Sequence, residues 1–242
     1  MKPFLLITTR DLEVAALGEH DAIARSAGLE PEQLVQWRAD RGPLPEVDPA
    51  GFSGVFLGGS PFNTSDFEKS PAQMQAEADL GRLAELAVDG RLPMLGLCYG
   101  MGILAQRFGG TMDREHGEEA GAVEVELTED GRRDPIFGEL PDRFMVCTGH
   151  KEACSTPPPG SAVLMENAAC PVQAIRVGEA AYATQFHAEL DPDRMIDRMT
   201  LYRDYGYFPS HELDAIGARI RAAGIEEWPE RIMTGFVARY AR

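Results

Sequence analysis

The chain has 242 residues, an apolar fraction of 44%, and 39 acidic against 23 basic side chains, for a net charge of −16. Such a length buries a core of its own without disulfides, and four cysteines are too sparse for a disulfide framework. The negative balance argues against unaided binding to nucleic acid or to an anionic membrane surface. No apolar run is long enough to span a bilayer, and the four-residue run in the opening MKPFLLITTRDLE is too short for a signal-peptide core. A cytoplasmic location is expected.

In chain order, FLLITT reads as a buried strand and residues 14–27 as a helix. LVQWRA and GVFLGG read as further strands, the second ending in Gly58-Gly59. Residues 70–88 carry Leu80, Leu83 and Leu86 at the spacing of one helical face. LPMLGLC is a short continuous apolar strand, and GMGILAQRF opens the next helix. Strands alternating with helices predict a parallel sheet covered on both faces.

After Gly110 the pattern changes. AVEVELT, RFMVCTG, AVLMEN, VQAIRV and AYATQFH are strand-like runs with little room for helices between them, so mixed or antiparallel strands should extend the sheet. Asp191-Pro192 is a helix start, an N-cap followed by proline at the first position. Ile232, Phe236 and Tyr240 mark a closing amphipathic helix. No linker separates domains, so residues 1–190 are expected to form the main domain and 191–242 a helical extension packed on it.

The segment Gly96-Leu97-Cys98-Tyr99-Gly100 has the form G-x-nucleophile-x-G at a strand-to-helix junction. That pattern makes a sharp turn holding the central side chain exposed in strained backbone geometry. The helix start supplies N–H groups and a positive dipole end, which favour a thiolate and stabilise charge on a reacting oxygen. A thiol nucleophile needs a base, and the base an orienting acid. Of the five histidines, His187 ends the strand AYATQFH, where such sheets carry their sites. Glu189 lies two residues on, to the same side of an extended chain, and is placed to hold the ring toward Cys98.

In order along the chain, GGSP, PMLGLCYGMGILAQRFGG, TGHKEA and QFHAE resemble the motifs of the class I glutamine amidotransferases. Among these, the resemblance is to stand-alone members similar to the glutaminase part of GMP synthase. It implies a flavodoxin-like three-layer α/β sandwich, with a mostly parallel central sheet, added antiparallel strands and a helical C-terminal extension. Residues 1–190 would be the amidotransferase domain. Cys98, His187 and Glu189 would be the catalytic triad, with the backbone N–H groups of Gly59 and Tyr99 as the oxyanion hole. Gly58, Gly102 and His150 would border the substrate. The reaction would be hydrolysis of a γ-glutamyl amide through a cysteine thioester, releasing ammonia, with no cofactor and no metal. Glutamine or another γ-glutamyl compound would bind, and a synthetase partner would accept the ammonia as a separate subunit.

Two positions depart from the family pattern. The family's glutamine four residues after the nucleophile is here Gly102, and His-Pro-Glu is here His187-Ala188-Glu189. The first change removes a polar side chain from the expected pocket and predicts weak use of glutamine, repaired by Gly102→Gln where space allows. Two other readings stand beside the amidotransferase: a stand-alone hydrolase of γ-glutamyl amides, and a degenerate regulatory or binding module. An α/β-hydrolase is disfavoured, since its acid precedes the histidine. Cys147, His150 and Cys154 have a metal-like spacing but alternate faces on a strand, and no fourth ligand lies nearby.

Overall fold

The computed structural model describes residues 1–242. Five parallel strands form one half of a nine-stranded sheet: β1 (Phe4–Thr8), β2 (Leu34–Arg38), β3 (Val55–Leu57), β4 (Met94–Leu97) and, from far along the chain, β11 (Ala181–Thr184). The sheet order is β2-β1-β3-β4-β11, and β11 pairs in parallel with β4 through Thr184 and Leu97. Beyond β11 the sheet turns antiparallel. It continues through β10 (Ala174–Val177), β9 (Ala162–Glu166), β6 (Glu118–Leu127) and β7 (Arg143–His150). The expected junction of a parallel half with antiparallel strands is what the chain forms. A separate two-stranded ladder of β5 (Thr111–Asp113) and β8 (Ala153–Thr156) has too little apolar alternation to have been read from sequence.

Side chains of the parallel strands alternate between two cores, as a period of two requires. Phe4, Leu6, Phe56, Leu95 and Leu97 point to one face, under α1 (Glu13–Ser26) and α7 (Trp228–Tyr240). Leu5, Ile7, Val55, Leu57 and Met94 point to the other, under α2 (Pro71–Val88) and α3 (Tyr99–Arg107). The sheet with helices on both faces is the three-layer sandwich that the resemblance implied. A short α4 (Glu129–Arg133) follows β6. After β11 come α5 (Pro192–Leu201) and α6 (Leu213–Ala222); Asp191 caps α5 by accepting the Arg194 N–H at 2.8 Å. Both helices bury apolar residues against Cys147 and Ala120, at the end of the sheet where the site lies.

Because the five strands run in parallel, their carboxyl ends lie on one side of the sheet. Arg10, Gly59, Cys98 and His187 all follow such ends. The closing helix α7 locks this frame through aromatic packing. The Phe236 ring lies 5.3 Å from Phe56, 6.1 Å from Phe4 and 6.4 Å from Tyr182, all fully or nearly fully buried. Truncating a buried phenylalanine leaves a cavity as well as losing burial, so Phe236→Ala should cost about 3–5 kcal/mol in urea unfolding. A loss below about 1 kcal/mol would mean that α7 does not hold the core.

Candidate active site

Cys98 sits between β4 and α3 with φ 59° and ψ −80°, and no other non-glycine residue has positive φ. This is the geometry of a tight, strained turn, worth roughly 1–3 kcal/mol of stored strain. The Cys98 N–H donates to the Thr184 carbonyl at 2.7 Å, and the Cys98 carbonyl accepts from the Met101 N–H at 3.0 Å. The two glycines of the motif touch each other: a β-carbon on Gly96 would lie 2.6 Å from the α-carbon of Gly100. That close approach is why the turn needs glycine at position 96.

His187 and Glu189 meet differently from the sequence expectation. The strand stops at Thr184, and His187 is held by its N–H donating to the Cys147 carbonyl at 2.9 Å. The chain turns there, and ring Nδ1 pairs with Glu189 Oε1 at 2.9 Å. Cys98 and His187 line one cleft. Arg198, from α5, donates to the same Glu189 Oε1 at 2.7 Å and lies 3.4 Å from His187 Nδ1. Burial opposes the Glu189 charge, yet the His187 ring and Arg198 hold its carboxyl well below the usual carboxylate range. Burial, aided by Arg198 and Arg10 against the pull of Glu189, holds His187 below its ordinary value and so keeps the ring neutral near pH 7.

The thiol corrects an expectation. A helix start favours thiolate, but here burial dominates and pushes Cys98 up to about 12, with Arg10 opposing. Cys98 therefore rests as a thiol, and His187 in the same cleft as a neutral imidazole.

The glycine loop rests on a buried ion pair absent from the sequence reading. Arg10 Nε donates to Glu19 Oε1 at 2.9 Å, and Thr8 donates to the other oxygen of the fully buried Glu19. A β-carbon at Gly58 would enter the Glu19 carboxylate, and one at Gly59 would meet Arg10 Nη2 at 2.5 Å. Both glycines thus let the loop lie flat on this pair. The Gly59 N–H donates to no carbonyl, and Tyr99 opens α3, where the first N–H groups have no helical partner.

Neither Gly102 nor His150 is among the residues that line the cleft holding Cys98. A β-carbon on Gly102 would come 2.7 Å from Thr64 Cγ2. Thr64 is itself fixed, its N–H and hydroxyl donating to Glu152 Oε1 at 2.7 and 2.9 Å. His150 is buried between the Glu152 carbonyl (2.9 Å) and Glu118 Oε2 (2.8 Å). Cys147 and Cys154 do not join it; the thiol near His150 and Glu118 is Cys170, and Asn167 and Gln173 also donate to that carboxylate. Sequence reasoning missed Arg10, Arg198, Tyr202 and Tyr207, all lining the cleft. Arg10 had a usable signal, since it follows the carboxyl end of a parallel strand. The other three lie where helical spacing says nothing of a distant thiol.

On a doubly covered parallel sheet, a thiol in a strained strand-to-helix turn shares a cleft with a neutral imidazole that has a buried carboxylate behind its ring. Residues 26–200 match the family model described as glutamine amidotransferase class-I, and the chain belongs to that family. It is 30% identical over 151 residues to a glutamine-hydrolyzing GMP synthase subunit from Pyrococcus abyssi, covering 61% of this chain and 72% of that one. The GMP synthase of Borreliella burgdorferi is 26% identical over 157 residues, covering 65% of this chain. The chain spans only 28% of the length of that relative. The fold matches a Thermotoga maritima glutamine amidotransferase with a TM-score of 0.76 at 24% identity, over 99% of this chain and 98% of that one.

The Thr64 contact reverses the expectation for position 102. Gly102→Gln should overpack the α3–Thr64 interface and cost about 1–3 kcal/mol in thermal or urea unfolding. Its KM for glutamine should not fall; a stable variant with improved glutamine use would contradict the steric account.

Proposed function

We propose that the chain is a glutaminase that releases ammonia from the side-chain amide of glutamine through a Cys98 thioester. The observation that carries this reading is the Cys98 turn sharing one cleft with His187, whose far nitrogen is paired with Glu189. As Cys98 sulfur forms its bond to the amide carbon, its proton passes to His187, and the carbonyl electrons move onto oxygen. The N–H groups of Gly59 and Tyr99 are the donors we assign to that oxyanion. Collapse of the tetrahedral species breaks the C–N bond, and His187 returns the proton to the departing nitrogen, giving ammonia and a glutamyl thioester. His187 then takes a proton from water as water attacks the thioester. The thiolate leaves, regains that proton, and glutamate is released.

The neutral, buried His187 suits this cycle, since it must accept a proton before it can donate one. The relatives are named as GMP synthases, and we infer that the ammonia passes to a synthetase unit. Four free cysteines fit work in the cytoplasm, where thiols stay reduced. No helix is long and apolar enough to cross a membrane.

Ammonia release from glutamine tests the reading. Cys98→Ala should lose roughly a thousandfold or more, and His187→Ala nearly as much, because members of a catalytic unit are not additive. Glu189→Gln should be milder, and Cys147→Ala, Cys154→Ala and Cys170→Ala should keep most activity. Undiminished ammonia release by Cys98→Ala would remove the mechanism.

A second measurement concerns the charges around His187. Arg198 and Arg10 disfavour the imidazolium, whereas Glu189 favours it. The acid limb of the kcat/KM profile should therefore lie below the ordinary histidine value in the wild type. Arg198→Met removes one cation and should move that limb to higher pH, with Arg198→Lys in between. An unmoved limb would mean that Arg198 does not act on the His187–Glu189 pair.

A further inference from the structure

Gly102 raises the question of what holds the amino-acid end of the substrate, since Thr64 occupies the space beside it. The cleft that opens on Cys98 contains a second set of polar groups. Arg10 is 5% exposed and ties only its Nε edge to Glu19. Neither of its Nη groups donates to a protein acceptor, although the guanidinium lines the cleft with Cys98 and His187. Tyr202, which is 4% exposed, lies with its ring 5.4 Å from the Arg10 guanidinium carbon; its buried hydroxyl is close to that guanidinium but makes no hydrogen bond of ordinary geometry. The neighbouring polar groups are already engaged, Arg198 with Glu189 and Tyr207 with the Ser60 carbonyl.

Buried donors are costly to leave unpaired, and a guanidinium has two usable edges. Glu19 takes the Nε edge and balances the charge. The Nη edge remains, and its fork matches a carboxylate in a bidentate arrangement. Glutamine carries one such group, separated by three carbons from the amide carbon that the thiol attacks. We propose that Arg10 and Tyr202 bind the α-carboxylate of the substrate, replacing the contact that a side chain at position 102 would have made. This rests on the glutaminase reading for the identity of the ligand. It makes the end of β1 and the residue after α5 the determinants of specificity for a free α-amino acid.

The test is calorimetric binding of L-glutamine and of its α-carboxamide to the Cys98→Ala protein, which requires no turnover. Glutamine should bind, and the α-carboxamide should bind roughly ten- to a hundredfold more weakly. The preference should shrink when Tyr202→Phe is added. It should vanish with Arg10→Met and Glu19→Gln added together, a pairing that leaves no buried carboxylate alone. Circular dichroism checks the fold, and Tyr202→Phe decides if the triple variant does not fold. Equal affinity for the two ligands, a preference untouched in the folded variants, or no binding of glutamine would overturn the proposal. Glutamine binding with the expected preference, in a wild type that releases no ammonia, would instead remove the glutaminase reading and leave the carboxylate site standing.

Discussion

The close approach of Gly96 to Gly100 is the constraint on which the site depends. Only without a β-carbon at position 96 can the chain leave β4 and enter α3 within one residue, and that one residue is Cys98 at φ 59°. The strain at Cys98 is paid for by its surroundings. Its N–H is anchored to β11 at Thr184, and Leu57 of the neighbouring β3 and Leu97 at the end of β4 are fully buried. The same hydrogen bond ties Cys98 to the strand that leads to His187, so two groups 89 positions apart share one support. A turn stabilised this way aims its side chain without relying on a flexible loop.

Charge around the thiol is arranged in two buried pairs. Glu19 neutralises Arg10 beneath the glycine loop, and Glu189 is shared between His187 and Arg198 behind the ring. Removing one member of such a pair strands a charge in a low dielectric, which costs far more than the pair contributes as a unit. The arrangement also sets protonation. Burial acts on both Cys98 and His187 toward their neutral forms, so the helix dipole at α3 does not by itself produce a resting thiolate.

The segment from Met195 to Phe208 is part of the cleft wall. Met195, Arg198 and Met199 of α5, and Tyr202, Tyr207 and Phe208 after it, line the cleft together with Ser60 of the glycine loop. Residues 202–208 are held by bonds from several directions: Lys151 to the Tyr205 carbonyl at 2.6 Å, and the Tyr205 hydroxyl to Asp11 at 3.0 Å. The wall is therefore fastened both to the segment after β7 and to the loop after β1.

The sequence by itself determined the strand and helix order, because apolar alternation and helical spacing are local periodicities that a linear reading detects. It also determined the cysteine turn, where glycines on either side of a thiol at the end of an apolar run leave few other uses. The His187–Glu189 pairing was legible from its spacing, although the chain makes it through a turn and not an extended strand. Tertiary structure alone decided that Thr64 fills the space at Gly102, that Cys170 and not Cys147 or Cys154 stands near His150, and that Arg10 and Arg198 enter the cleft. Those contacts join different elements, as Thr64 and Gly102 do across 38 positions and Cys170 and His150 across 20. No periodicity encodes them: they follow from how the layers dock, and docking depends on shape and buried charge summed over the whole core.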